Sequence, residues 1–330
     1  MAELAPVAQG TIERGYAHAA LYYNGYFYVG LRNATYPRLY KVDATNYANQ
    51  SYITLGGQIS DLIRVGDYLW ATCYNGRVYK IAISTFTETA NYLIVSGNEL
   101  QSLCSDGTYI YVGATDYLAK ILISTGDVTV SGYLGYTYHS ICEDGDYLYV
   151  ITISPGTFFT KRLKTTFANV DSVAIGLCTD DMAQDATYVY LGRETTGEVV
   201  RVTKSNLAVY TQSPVGMGYS YGVYLIDTQL LYLDFTNNDI WVFSTPDLGV
   251  NRQIELIDLD YSDPINELAD DGSSYLHLSQ YRADSTPIIK LSRATVLGII
   301  GWTGKISGVT NPAKIMGVDA TNIAKVKGVA

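Results

Sequence analysis

The chain has 330 residues and a mass of 36.2 kDa, with 22 Lys+Arg against 32 Asp+Glu for a formal charge of −10. Only 16% of residues are charged and 48% are hydrophobic, which excludes disorder for most of the chain. The acidic balance excludes nucleic acid as the main partner, because neutralising phosphates needs a basic footprint.

The first residues, Met1-Ala2-Glu3-Leu4-Ala5-Pro6, hold no basic region followed by an apolar one, so no secretory signal is expected. No apolar run approaches the roughly 20 residues that span a bilayer, so membrane insertion is not expected either. Cys73, Cys104, Cys142 and Cys178 are widely spaced and include no Cys-x-x-Cys pair, which suits neither a zinc knuckle nor a disulfide framework. Synthesis in a reducing cytoplasm is the simplest expectation.

From residue 16 onward a short aromatic phrase organises the chain. It runs Tyr26-Phe27-Tyr28-Val29, Tyr68-Leu69-Trp70-Ala71, Tyr109-Ile110-Tyr111-Val112 and Tyr147-Leu148-Tyr149-Val150. It continues as Tyr188-Val189-Tyr190-Leu191, Leu230-Leu231-Tyr232-Leu233 and Tyr275-Leu276-His277-Leu278. The first members lie 42, 41, 38, 41, 42 and 45 residues apart, which marks seven copies of one unit. An acid precedes most copies (Asp106, Asp144, Asp185, Asp227, Asp271), often followed by glycine, which is a hairpin signal between two β-rich runs. After each phrase come a second turn, a third strand such as Arg77-Val78-Tyr79-Lys80-Ile81, and a looser fourth strand such as Asn91-Tyr92-Leu93-Ile94-Val95. No long stretch has helical period.

Four antiparallel strands in a repeat of about 40 residues is the pattern of a β-propeller blade. The expected fold is therefore all-β, a seven-bladed β-propeller with four-stranded antiparallel blades over residues 16–302. Residues 1–15 form an N-terminal arm that either adds a strand to the last blade or leaves Leu297–Trp302 to complete it. The Gly-His and Trp-Asp pairs of WD40 blades and the sialidase Asp-box are absent, and only Gly56-Gly57 matches the kelch type. Phrases such as Tyr111-Val112-Gly113 resemble the broad group of bacterial propellers with Tyr-Val-rich second strands, a likeness that implies fold and not activity.

Residues 303–330 are a different kind of sequence, a short C-terminal extension. A five-residue phrase occurs three times: Lys305-Ile306-Ser307-Gly308-Val309, Lys314-Ile315-Met316-Gly317-Val318 and Lys325-Val326-Lys327-Gly328-Val329. From Leu297 on, four lysines face one aspartate, a balance of +3, so the remainder carries −13. Such asymmetry marks a separate assembly or docking segment, with Lys305, Ile306, Val309, Lys314, Ile315, Val318, Lys325, Val326 and Val329 as its candidate contacts. Each phrase is expected to add a short strand to a neighbour's sheet edge. Asn322-Ile323-Ala324-Lys325-Val326-Lys327-Gly328-Val329 resembles the short terminal repeat of tailed-bacteriophage structural proteins. That resemblance implies a virion component of tail, fibre or capsid; the plain alternative is a basic terminus without a partner.

Ligands of propellers bind mostly where the innermost strands begin, at the mouth of the central channel. Counting back from each phrase reaches His18, Ser60, Gln101, His139, Asp180, Gly222 and Asn266, with Asp61, Ser102, Ser140, Asp181 and Glu267 one position on. The candidate ligand-binding residues are His18, Asp61, Gln101, His139, Asp180 and Asn266, set against the simpler view that a wet channel is polar for solvation. No metal and no cofactor are expected, since residues spread round a ring rarely converge on one ion. The acid ring on the opposite face is expected to cap its own turns, and His277 to pack rather than react. Cys104 and Cys142 share a register in adjacent blades and are expected as buried fillers.

No Gly-x-Ser-x-Gly elbow, phosphate-binding glycine loop or His-Glu-x-x-His is present. The leading expectation is a non-enzymatic virion structural protein of a tailed bacteriophage, made in the host cytoplasm. Its partners would be other virion proteins and sister copies. One alternative is a propeller adhesin binding a host surface receptor or glycan through Tyr36, Tyr74-Asn75 and Asn237-Asn238. A second is a propeller polysaccharide lyase or hydrolase using His18, His139 and Asp180.

Overall fold

In a β-strand successive side chains point to opposite faces, so the aromatic phrase sends its second and third residues to opposite sides of its sheet. The computed structural model turns this alternation into a ring. It describes residues 2–4, 6–12, 15–154, 156–193, 196–214, 216–256, 265–280 and 286–298, together with two-residue strands at 305–306, 309–310, 314–315 and 318–319. Seven sheets follow one another, each with four antiparallel strands, and one of them carries a fifth. Their inner strands are Tyr16–Tyr23, Ile59–Val65, Leu100–Ser105, Thr137–Asp144, Cys178–Gln184, Ser220–Ile226 and Ile265–Asp270. Each inner strand packs against the next, and the seventh packs against the first, so the ring is closed. The chain is a seven-bladed β-propeller.

The hydrophobic core is divided into seven clusters, one in each gap between blades. Phe27 faces blade seven and Tyr28 faces blade two. Leu69 and Trp70, Ile110 and Tyr111, Leu148 and Tyr149, and Val189 and Tyr190 repeat that division. Broad rings suit the gap, because each buries a large apolar area across a sheet-to-sheet interface.

Blade six departs from the expected register by one residue. Ile226 pairs with Gln229 across its first turn, as Tyr23 pairs with Tyr26 in blade one. Leu230 then faces blade five and Leu231 faces blade seven. The phrase of blade six is thus Gln229-Leu230-Leu231-Tyr232. Without its leading tyrosine, the hydrophobic run alone could be aligned one place too far along.

The N-terminal arm closes the ring. Ala8–Ile12 pairs antiparallel with Thr286–Ser292 and forms the outer strand of blade seven. Ala2–Leu4 lies parallel to the end of Val250–Leu256, as a fifth strand on blade six. Leu297 belongs to a short helix, Arg293–Leu297, capped by Ser292 and by Gly298 in the left-handed region at φ 71°. Arg252 Nη1 and Gln229 Nε2 of blade six donate to Thr295 O and Leu297 O at its end, each at 3.0 Å. No described helix is long and apolar enough to cross a membrane.

In the extension, Lys305-Ile306 pairs with Val309-Thr310, and Lys314-Ile315 pairs with Val318-Asp319. The first two phrases therefore fold back on themselves instead of each presenting a single strand. Residues 299–304, where the change from propeller to extension was expected, lie outside the described residues, as do Lys325, Val326 and Val329.

Candidate functional site

Every inner strand is irregular at its start, and in the same register. The pairing slips at His18, Ser60, Gln101, His139 and Asn266, and within the stretches Cys178–Met182 and Ser220–Val223. These are β-bulges, which leave one residue out of the ladder and re-aim its side chain. They fall on the residues that counting back from the phrase singles out, with the blade-six position moved to Tyr221–Gly222. Asp180 lies in the bulged stretch of blade five, and its side chain is outside the described residues.

The bulged side chains are used to join blades. Asn266 Nδ2 donates to Ala17 O, linking blade seven to blade one. His18 Nδ1 lies 3.2 Å from Ser60 O, and Ser60 Oγ donates to Leu100 O at 2.6 Å. Arg32 Nη1, which only donates, is 2.9 Å from His18 Nε2. That fixes the neutral tautomer with the proton on Nδ1, donated to Ser60 O. The Asp61 carboxylate accepts from Leu62 N at 2.6 Å and from Leu103 N of blade three at 2.8 Å.

The chain of contacts continues over the mouth. Arg32 lies over the ring of Tyr74 at 4.6 Å, Tyr74 OH donates to Gln101 Oε1 at 3.2 Å, and Gln101 Nε2 donates to Glu99 at 3.2 Å. His139 is half-buried in blade four, three blades away from His18. The two histidines that share a register are thus on different sectors of the ring. No group of three or more His, Cys, Asp or Glu among the described residues could hold a metal ion.

One titratable cluster was not legible in the motifs. Tyr224 OH of blade six lies 2.8 Å from Asp181 Oδ2 of blade five and 3.2 Å from Glu267 Oε2 of blade seven. One phenolic proton serves two carboxylates, and burial together with both charges pushes the phenol well above its usual range. Beside it, a cavity of about 300 Å³ opens between the inner strands of blades five to seven, lined by Met182, Gln184, Tyr224, Leu268 and Asp270. Its lining mixes the apolar Met182 and Leu268 with the polar Gln184 and Asp270.

Of the aromatic and amide residues expected on the mouth face, Tyr36 is exposed. Asn75 is bonded to Tyr79 OH at 2.8 Å, Asn237 to Gly216 O at 3.0 Å, and Asn238 is buried and accepts from Ile265 N at 3.0 Å. Tyr133, 72% exposed on the connection from blade three to blade four, is the most open aromatic side chain described.

The opposite face is built from turns and cations. Asp106, Asp185 and Asp271 each accept two or more backbone amides of their own turn. Burial alone would raise the Asp106 carboxyl, but the Tyr109 amide, the Tyr111 hydroxyl, the Thr108 amide and Lys164 outweigh it and hold it below the usual range. Asp144 and Asp227 are held differently, by cations of another blade. Lys204 Nζ reaches Asp144 at 2.8 Å, and Arg293 reaches Asp227 at 2.9 Å. Lys164 stands at the position equivalent to Lys204 and bonds both Glu143 at 2.6 Å and Asp106 at 3.3 Å.

A second cation row runs along the third strands. Lys41, Lys80, Lys120, Lys161, Arg201 and Lys290 lie 4.0–5.0 Å from the ring of the phrase's leading tyrosine. Several then donate to backbone carbonyls of the next blade, as Lys290 does to Ala44 O at 2.8 Å and Lys161 to Lys204 O at 3.1 Å. Blade six, with Gln229 and Val242 in these two places, lacks the pair. Cys104 and Cys142 form no disulfide; Cys104 is half-buried and Cys142 buried, and burial pushes the Cys142 thiol up to about 12.

No family model matches the sequence, and no curated protein matches it. Among solved structures, the chain is similar to the Cps50 (Swd1) β-propeller domain of Myceliophteria thermophila. That match has a TM-score of 0.67 and 10% identity, and covers 85% of this chain and 99% of that one. It is also similar to the computationally designed Ika8 protein, with a TM-score of 0.63 and 9% identity, covering 88% of this chain and 100% of that one. At such identities the likeness is one of fold alone: this chain shares the β-propeller architecture of the Cps50 (Swd1) domain.

Proposed function

We propose that the protein is a non-enzymatic virion structural component of a tailed bacteriophage, a rigid propeller disc attached through residues 303–330. The observation that carries this reading is the contrast between the two parts of the chain. The described polar groups of the channel mouth and of the turn face are largely committed to bonds within and between blades, which suits a stiff interaction platform. The extension carries +3 and a lysine-led phrase repeated three times, beside a remainder at −13. Its resemblance to phage terminal repeats supplies the virion context. The described parts of the phrases are two-residue pairings, too short to be stable alone, so a partner surface is their natural complement.

Removing residues 303–330 tests the reading. The truncated protein should fold with an unchanged thermal transition and fail to enter particles. A truncated protein that incorporates at the normal level would contradict the assignment.

A further inference from the structure

The blade edges carry an inference that rests on the assembly reading and makes it specific. A sheet edge is a row of unpaired backbone groups, and proteins normally guard it with lysine, proline or a covering element. Here the six outer strands other than that of blade six are Gln50–Thr54, Thr87–Leu93, Val128–Val130, Asn169–Ala174, Val209–Gln212 and Ala8–Ile12. None contains Lys, Arg or Pro, and among the described residues none carries a further strand. Blade six does: Ala2, Glu3 and Leu4 pair in parallel with Ile254, Glu255 and Leu256. The fold therefore already uses strand addition at a blade edge.

Blades two and four match blade six in detail. Their outer strands have the same irregularity, between Glu88 and Ala90 and between Asn169 and Asp171, as blade six has between Val250 and Arg252. Each bulge lies beside the third-strand position held by Lys80, Lys161 and Val242, so the three are equivalent. In blade six the added strand sits just beyond the bulge. The corresponding stretches are Tyr92–Ile94 and Val173–Ile175; their pairing runs without a shift through Leu93 and Ala174, and Leu93 is 46% exposed. These two are also the only acid-bearing strands of the six, through Glu88 and Asp171.

We propose that the outer edges of blades two and four are strand-addition sites for the Lys-Ile/Val-x-Gly-Val extension of a second copy of this chain. The leading strand of a folded-back phrase adds to the edge beyond the bulge through backbone bonds, and its lysine meets the acid of the edge strand. Alternate blades would then hold successive subunits.

The test uses the full chain and the double variant Leu93→Lys with Ala174→Lys, two exposed positions where an added charge leaves the core untouched. Sedimentation velocity over a concentration series should show reversible association of the unmodified chain. The variant should need a concentration on the order of tenfold higher to associate, at an unchanged thermal transition. Amide exchange at residues 92–94 and 173–175 should slow as the unmodified chain associates. Association unaffected by the two lysines, or a chain monomeric at every concentration, would overturn the inference. Particle incorporation of the truncated protein is read separately, so a failure here is distinguishable from failure of the virion assignment.

Discussion

The hydroxyl of Tyr47 lies 2.6 Å from Nδ1 of His277, across the seam where blade seven meets blade one and 230 positions apart in the chain. His277 occupies the place that Tyr28, Tyr111 and Tyr190 hold elsewhere. It is 1% exposed, stacked on Tyr22 at 5.1 Å and tilted against Phe27 and Tyr47. Lys290 is its cross-strand partner, and Asp271 lies in the turn of the same hairpin. Burial, with a smaller contribution from Lys290 and against Asp271, lowers its imidazole to about 4.

The seam should therefore weaken in acid. A histidine whose folded value lies below its unfolded value binds more protons when unfolded between those values, so stability falls as pH drops from about 6.5 towards 4. The full effect is on the order of 3 kcal/mol. Thermal transitions measured from pH 7 to pH 4 should show a steeper decline for the native chain than for His277→Gln. Parallel curves would show that His277 does not titrate with unfolding.

Removing the buried cation of the turn face should be costly. Lys164 is held above its usual range by Glu143 and Asp106 despite burial, which lowers it. Lys164→Met leaves two carboxylates about three-quarters buried and without their ammonium partner. The expected loss is about 2 kcal/mol, discounted for their partial exposure. Lys80→Met, which loses mainly a cation–π contact to Tyr68, should cost about 0.5–1 kcal/mol. Chemical denaturation of both variants checks the order, and equal losses would remove the distinction.

Gly10 tests the closing arm. A Cβ built there would meet Tyr47 Cβ at 2.6 Å, so the arm must shift away from blade one. Gly10→Ala should destabilise by about 1–3 kcal/mol and speed amide exchange in Ala8–Ile12 before other blades. Exchange spread evenly over all blades would argue against a local seam.

The channel mouth should prove structural. His18→Ala breaks the link from Arg32 to Ser60 O and should cost about 1–2 kcal/mol, with particle incorporation retained. A stable His18→Ala protein that no longer enters particles, or that loses a measurable turnover, would favour the binding or enzymatic alternatives.

Much of this architecture is legible in the sequence because one strand repeats a dense aromatic phrase. The period and the four-strand grammar follow from Tyr26, Tyr68, Tyr109 and their successors. What stays hidden is long-range or depends on one residue. The register of blade six needed the pairing of Gln229, since hydrophobic content alone does not distinguish Gln229-Leu230 from Leu230-Leu231. Bulges at His18 and Asn266 leave no mark that distinguishes them from ordinary strand starts. The Tyr224 cluster joins residues from three blades, and ring closure joins residue 12 to residue 286. The third-strand cations were visible as residues, but their stacking on the leading tyrosines follows only from the cross-strand geometry. For the acids, turn capping held for Asp106, Asp185 and Asp271. For Asp144 and Asp227, distant cations take that place.

Cryo-electron microscopy of the native assembly containing this chain tests the central claim most directly. The account predicts propeller discs repeated on a phage particle, with residues 303–330 ordered against a neighbouring chain. A monomeric disc away from any particle, with a free extension and ligand density at the channel mouth, would contradict it.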